Sequence, residues 1–328
     1  MKTTSFSGPL SVDFEAFVKT LEASAAANKA MLTWLRALDR LTRENPLPSG
    51  TIDEALAKAW LAPCASRGPN TRLARFHLLR RFCRFLTGRR PGTFLPGETL
   101  RPRGRPPAPP HIYTPEEVRL LLDGALSLRD CKKARFRPIR SKTMHTIILL
   151  LATSGLRISE ALHLTLRDVD FTEGVLSIHQ SKFRKSRLVP LSQGTLDVLR
   201  RYHNLRISVA PADLDDAFFI SGRGKAYGTS YVQTMFRSIT IQAGLRGPKG
   251  SGPRLHDLRH TFAVTRLLEW YRDGCNVMAR LPLLSTYLGH ACVSDTEVYL
   301  RITTALLEEA SVRYHVYAQS VLPEGGAS

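Results

Sequence analysis

The sequence predicts a mainly α-helical protein of two domains, with a small antiparallel β-sheet in the second. Three observations carry this expectation. Apolar residues recur at helical spacing through residues 11–90 and again through most of 195–320. The stretch 91–111, PGTFLPGETLRPRGRPPAPPH, holds seven prolines, and the fixed φ and missing N–H of proline continue neither helix nor strand. Residues 174–179 and 186–190 alternate as two strands would, around a polar turn from Gln180 to Lys185. The expected division is a helical unit at 1–95, a Pro/Arg-rich linker at 96–111, and a mixed α+β unit at 112–328 ending in a helical tail. A chain of 328 residues is long enough for two hydrophobic cores.

In the first unit, Phe14, Phe17, Val18 and Leu21 share one helical face, as do Met31, Trp34, Leu35 and Leu38. In a later helix Leu73, Phe76, Leu79, Cys83 and Leu86 alternate with Arg72, Arg75, Arg80, Arg81 and Arg84. Those arginines read either as a solvated basic face or as a helix laid along a phosphate backbone. Arg101, Arg103 and Arg105 of the linker are further candidates to lie against a polyanion. In the second unit, Thr114-Pro115-Glu116-Glu117 is an N-cap, a proline at the first helical position and an acidic first turn. A basic loop is expected at 131–142, then a buried helix through Ile147–Ala152, with Gly155 capping it and another helix opening near Arg157.

Net charge is +19 and the isoelectric point is about 10.2. Residues 1–110 carry +10 and residues 111–328 carry +9, so the charge is no basic tail. A polyanion touching both halves is the natural partner. No apolar run reaches the roughly 18 residues that span a bilayer, and Met1–Val12 does not read as a secretory signal. The five cysteines, Cys64, Cys83, Cys131, Cys275 and Cys292, are scattered, with neither CxxC pairs nor zinc spacing. A cytoplasmic protein without a structural metal is the expectation.

Four segments hold residues suited to phosphate chemistry. Thr153-Ser-Gly-Leu-Arg157-Ile-Ser-Glu160 places an arginine at the start of a short helix, where its planar fork and nearby N–H groups suit an anion. An ion pair with Glu160 is the plain alternative. His256-Asp-Leu-Arg259-His260 starts a helix after Pro253, with His256 and Arg259 on one face and His260 on another, where it packs or caps. Leu288-Gly289-His290 is followed nine residues on by Tyr299, in a helix that Ser294 or Asp295 would cap; alone, Tyr299 reads as a packing residue. Ser181-Lys182-Phe-Arg-Lys185 is the tip of the strand pair.

Together, in this order, an arginine, a hairpin lysine, His-x-x-Arg, Leu-Gly-His and a tyrosine nine residues later resemble the signature of the tyrosine recombinase (phage integrase) family. The resemblance covers about residues 111–315. The basic helical first unit resembles the family's SAM-like core-binding domain in character only, and the second its catalytic domain. The resemblance implies that Tyr299 attacks the scissile phosphate and forms a 3′-phosphotyrosyl link. Arg157 and Arg259 would clamp the non-bridging oxygens, His256 would accept a proton or donate to the phosphate, and His290 would bind an oxygen. Lys182 or Lys185 would protonate the leaving 5′ oxygen, and Glu160 would order the site. It further implies double-stranded DNA as partner, a tetramer assembled through the C-terminal tail, an accessory recombinase or DNA-bending protein, and a nucleoid-associated location. A mobile genetic element is the expected carrier.

The chemistry agrees with these roles. A tyrosine of ordinary pKa near 10 needs proton removal or a cationic surround to attack, and fixed donors meet the charge that develops on phosphate. Two arginines, two histidines and a lysine could meet that charge without a metal ion, and no ATP is needed, since the covalent link conserves the phosphodiester bond. A type IB topoisomerase would use the same side chains but relax DNA alone; a purely DNA-binding protein would have no use for Tyr299. The sequence departs from the family's pattern in three places: the hairpin tip lacks glycines, and the segments 131–142 and 269–287 are extended.

Overall fold

The computed structural model describes residues 6–24, 29–47, 50–62, 68–106, 108–129, 139–179, 186–210, 216–246 and 252–301. The chain divides into two compact units, residues 1–108 and 109–328.

The first unit is built from α1 (Ser11–Ala23), α2 (Lys29–Glu44), α3 (Glu54–Leu61) and α4 (Pro69–Thr87). The apolar faces read from the sequence form one core of Phe14, Phe17, Leu21, Leu35, Leu38, Leu79, Phe82 and Leu86. Phe14 stacks on Phe82 with ring centroids 4.4 Å apart. Asp39 is buried and accepts the backbone N–H groups of Ser7 and Gly8. A Cβ on Gly8 would stand 2.6 Å from that carboxylate, so glycine is required there. Asp13 is also buried, held at 2.7 Å by both Arg89 and Arg90. Much of the proline-rich stretch belongs to this unit. Arg80 donates to the Pro96 carbonyl at 2.9 Å, and the Arg105 N–H donates to Asn70 at 2.9 Å.

The second unit begins with α5 (Pro115–Leu126). Thr114 and Glu117 form a reciprocal capping box, as the Thr-Pro-Glu-Glu motif predicts. α6 (Ile139–Ser154) is buried on most of its sides because it is the central helix, its hydroxyls bonding back to its own carbonyls. It packs against α5, α8 (Gln193–Val209) and α10 (Asp257–Arg272). α6 opens at Ile139, so the last part of the expected 131–142 loop is helical; residues 130–138 lie outside the described residues.

The sheet is antiparallel in the order β1 (Val169–Asp170), β2 (Val175–Ile178), β3 (Arg187–Pro190). β2 and β3 are the two expected strands, paired with Leu176 opposite Val189 and Ile178 opposite Arg187. β1 is a two-residue addition that alternation is too short to signal. Asp170 accepts from the N–H groups of Thr172 and Glu173 and turns the chain into β2. The unit continues through α9 (Thr229–Gln242) and α10, then α11 (Val277–Leu288) and the short α12 (Ser294–Glu297). The extended segment 269–287 is the end of α10, a turn at Gly274 (φ 77°) and α11, capped by Asn276. Among the described residues no helix is long and apolar enough to cross a membrane.

Candidate active site

The site lies where the ends of α6, α11 and α12 meet the start of α10. Gly155 terminates α6 in the left-handed region, at φ 61°. A Cβ there would lie 2.5 Å from the Phe262 ring and 3.1 Å from Leu288. The missing side chain thus lets α6 end against α10 and α11. Gly289 does the corresponding work for α11 at φ 70°, its N–H returning to the Thr286 carbonyl.

Arg259 joins these two ends. It is 2% exposed, and its guanidinium donates to the Gly155 carbonyl at 2.8 Å and the Leu288 carbonyl at 2.7 Å. Burial, reinforced by Arg157, lowers its pKa to about 10. Its charge also acts on the Tyr299 phenol. The sequence places Tyr299 in a helix capped by Ser294 or Asp295. Instead α12 starts at Ser294 after Val293, and Tyr299 sits in a 3₁₀ turn, Val298–Arg301. Ser294 and Asp295 are already helical, so neither is the cap. The tyrosine is 4% exposed and packs with Leu267, Leu284 and Leu288. Burial raises its pKa, while Arg259 and Arg157 oppose the rise. Tyr299 is therefore a packing residue and a polar one at once.

Arg157 immediately precedes α7 (Ile158–Leu162). Its guanidinium donates to Glu160 at 2.8 Å and to the Gly289 carbonyl at 3.0 Å. The ion pair with Glu160, the plain alternative, is present, and part of the side chain stays open to solvent. The backbone N–H at Arg157, expected to be free for an anion, is taken by Glu160 at 2.9 Å.

Two histidines flank the tyrosine, and a third lies beside one of them. His290 lies against the tyrosine with ring centroids 6.1 Å apart, and His290 Nδ1 is 2.8 Å from the Thr296 hydroxyl. Burial, then the charges of Arg259 and Arg157, pushes the His290 pKa down to about 4. His256 keeps one face open to solvent. Its partial burial, with His260, Arg259 and Arg157 close by, also brings its pKa to about 4. Both rings are neutral near pH 7. His260 lies between His256 and Tyr299: its ring is 4.9 Å from His256 and 5.5 Å from Tyr299. The sequence reading set His260 aside as a packing residue on another face.

Next to this cluster opens a cleft of about 1000 Å³, lined by Arg157, Glu160, His163, Arg167, Asp168 and His179 among others. Arg157, Glu160, His256, Arg259, His290 and Tyr299 are thus brought together, whereas Lys182 and Lys185 lie outside the described residues. Sequence reasoning missed Arg187, which holds Glu160 at 2.9 Å. The signal was present: Arg187 shares strand parity with the buried Val189, so it points inward.

The first unit's arginines divide. Arg81 and Arg84 are exposed on α4, and Arg101, Arg103 and Arg105 are exposed beyond it. Arg72 is half-buried, and Arg80 is engaged by Pro96. Arg75 is a correction: it is buried, 3.6 Å above the Trp60 ring, and donates to the Trp60 carbonyl. It falls on the core side of the helix, so it faces no polyanion.

Residues 114–305 match the family described as the phage integrase family. The chain is 41% identical over 244 residues to a candidate integrase/recombinase, y4rE, of Sinorhizobium fredii, covering 74% of this chain and 76% of that one. It is 30% identical over 216 residues to the tyrosine recombinase XerA of Pyrococcus furiosus, covering 66% of each. Among solved structures it resembles the integrase of the Tn1549 transposon in complex with transposon right end DNA. The TM-score is 0.67 at 16% identity, over 93% of this chain and 99% of that one, which speaks to the fold. With more than half of its length matched and these relatives beside it, the chain belongs to the phage integrase family of tyrosine recombinases.

Proposed function

We propose that this recombinase cleaves and rejoins double-stranded DNA at a specific site through a 3′-phosphotyrosyl link to Tyr299. The observation that carries the assignment is the buried Tyr299 phenol within the influence of the Arg259 and Arg157 charges, with His290 and His260 beside its ring and His256 next to His260. The phenol attacks phosphorus, and the bond to the 5′ oxygen breaks. Arg259 and Arg157 stabilise the phenolate as the proton leaves and then the charge on the non-bridging oxygens. His256 is neutral and able to accept that proton. A bound phosphodiester places a negative charge between the arginines, offsets the cations that depress both histidines and raises their basicity. His290, with Nδ1 engaged by Thr296, has Nε2 left to meet a phosphate oxygen. Lys182, or Lys185, protonates the departing 5′ oxygen, and Glu160 orders Arg157.

In this reading residues 1–95 are a core-binding domain, 96–111 a linker and 112–328 the catalytic domain. Arg81, Arg84, Arg101, Arg103 and Arg105 supply phosphate contacts. A tetramer forms on DNA through the C-terminal tail, beyond the described residues, with an accessory recombinase or DNA-bending protein as a further partner. The protein is nucleoid-associated and carried by a mobile genetic element.

The test is a nicked suicide substrate bearing the target site, taken from the DNA flanking the gene. Tyr299→Phe is expected to bind it with unchanged affinity and to form no covalent adduct. An undiminished adduct would overturn the assignment of the nucleophile.

A further inference from the structure

We propose that Arg187 is a positioning residue of the active site, neutralising Glu160 so that Arg157 keeps its positive charge for the scissile phosphate. The proposal rests on the reading of Arg157 as a phosphate clamp.

Arg187 opens β3 opposite Ile178 and turns inward. Its side chain is 10% exposed. The guanidinium meets both oxygens of Glu160, at 3.1 and 2.9 Å, and its Nε donates to the Tyr287 carbonyl at 2.8 Å. A Cβ on Gly289 would stand 2.8 Å from Arg187 Nη1, so the glycine of Leu-Gly-His leaves room for this guanidinium. One side chain thus ties the hairpin strand, α7 and the end of α11 together. Arg157 and Glu160 line the cleft, and Arg187 holds Glu160.

The electrostatics give this arrangement a purpose. Glu160 is a buried carboxylate shared by two guanidinium groups. Left with Arg157 alone, it would cancel that arginine's charge where phosphate must bind. With Arg187 present, one cation offsets the carboxylate and the other remains unneutralised at the cleft. The fork of arginine matches a carboxylate at two points, which fixes Glu160 and through it Arg157.

Single-turnover cleavage of the suicide substrate tests this, with site affinity measured separately by gel shift. Arg187→Gln keeps a polar side chain but removes the charge. It is expected to slow cleavage roughly tenfold to a hundredfold, by analogy with the loss when the outer partner of a metal ligand is removed, with affinity nearly unchanged. Arg187→Lys restores the charge and should recover much of the rate. In a Glu160→Gln background, where no charge needs offsetting, Arg187→Gln should add little further loss. Wild-type cleavage by Arg187→Gln, no recovery with lysine, or an equal loss in both backgrounds would each overturn the proposal; the last result would mean a structural tie alone. If Arg187→Gln does not fold, as judged by thermal melting, Arg187→Lys and the double variant decide the matter by the same criteria. An adduct persisting in Tyr299→Phe would instead defeat the underlying assignment, whatever Arg187 does.

Discussion

Replacing Gly155 with alanine separates two reasons why a glycine ends α6. The first is conformational: at φ 61° a Cβ costs about 1–2 kcal/mol. The second is steric, because that Cβ would lie 2.5 Å from Phe262 and 3.1 Å from Leu288, well inside ordinary contact. Overpacking a filled core costs about 1–3 kcal/mol, so Gly155→Ala should destabilise the second unit by roughly 2–5 kcal/mol. Gly244 supplies the control. It has φ 70° in the same unit, and a Cβ there meets nothing within 4 Å. Gly244→Ala should therefore cost only the conformational part. Hydrogen exchange of α6 and α10 amides, read by mass spectrometry on the full chain, measures both. The Gly155 carbonyl also holds Arg259, so cleavage should fall as well, by on the order of a hundredfold for a shift near 1 Å. Equal destabilisation by the two alanines would refute the packing argument, and unimpaired cleavage by Gly155→Ala would refute the coupling to Arg259.

Three further outcomes are expected. His290 has a folded pKa of about 4 against an ordinary 6.5, so between those values the unfolded chain binds a proton that the folded chain refuses. Stability should rise with pH through that window and fall on acidification, by at most about 3 kcal/mol from this ring; urea midpoints of His290→Asn that fall just as steeply would contradict it. Lys182→Ala should slow cleavage except when the leaving group is a 5′-bridging thiolate, which needs no proton; the same rescue in Lys185→Ala instead would transfer the role to Lys185. Arg81→Ala and Arg84→Ala should each reduce the salt dependence of DNA binding by about one phosphate contact. Arg75→Ala should leave that slope alone and lower the melting temperature, because its partner is Trp60. A changed slope in Arg75→Ala would mean that the buried geometry does not persist on DNA.

The elements that set the site in place were legible because local rules govern them. Thr114-Pro-Glu-Glu is a helix start wherever it occurs, and it caps α5. Gly155 marks a helix end because only glycine takes a positive φ at no cost. The order of Arg157, His256, Arg259, His290 and Tyr299 was legible as a resemblance. The two-residue β1 was not, since alternation needs more residues to register. The 3₁₀ turn at Tyr299 was not either, because its sequence suits an α-helix equally well.

The sequence by itself determined the helical periodicities, the break near residue 100, the residue types of the site and the family they resemble. Only the tertiary structure decided what those residues do to one another. Arg75 and Arg81 belong to the same basic run, yet one is stacked on Trp60 and the other faces solvent, because burial depends on what packs against the helix. Arg187 looked like one more hairpin charge until Glu160, 27 residues away in sequence, came within 2.9 Å. Tyr299, plausible in sequence as a packing residue, is buried within the influence of the Arg259 and Arg157 charges. Local propensity acts over a few residues, whereas charge neutralisation, depressed histidine pKa values and a polarised phenol require partners that only folding brings together.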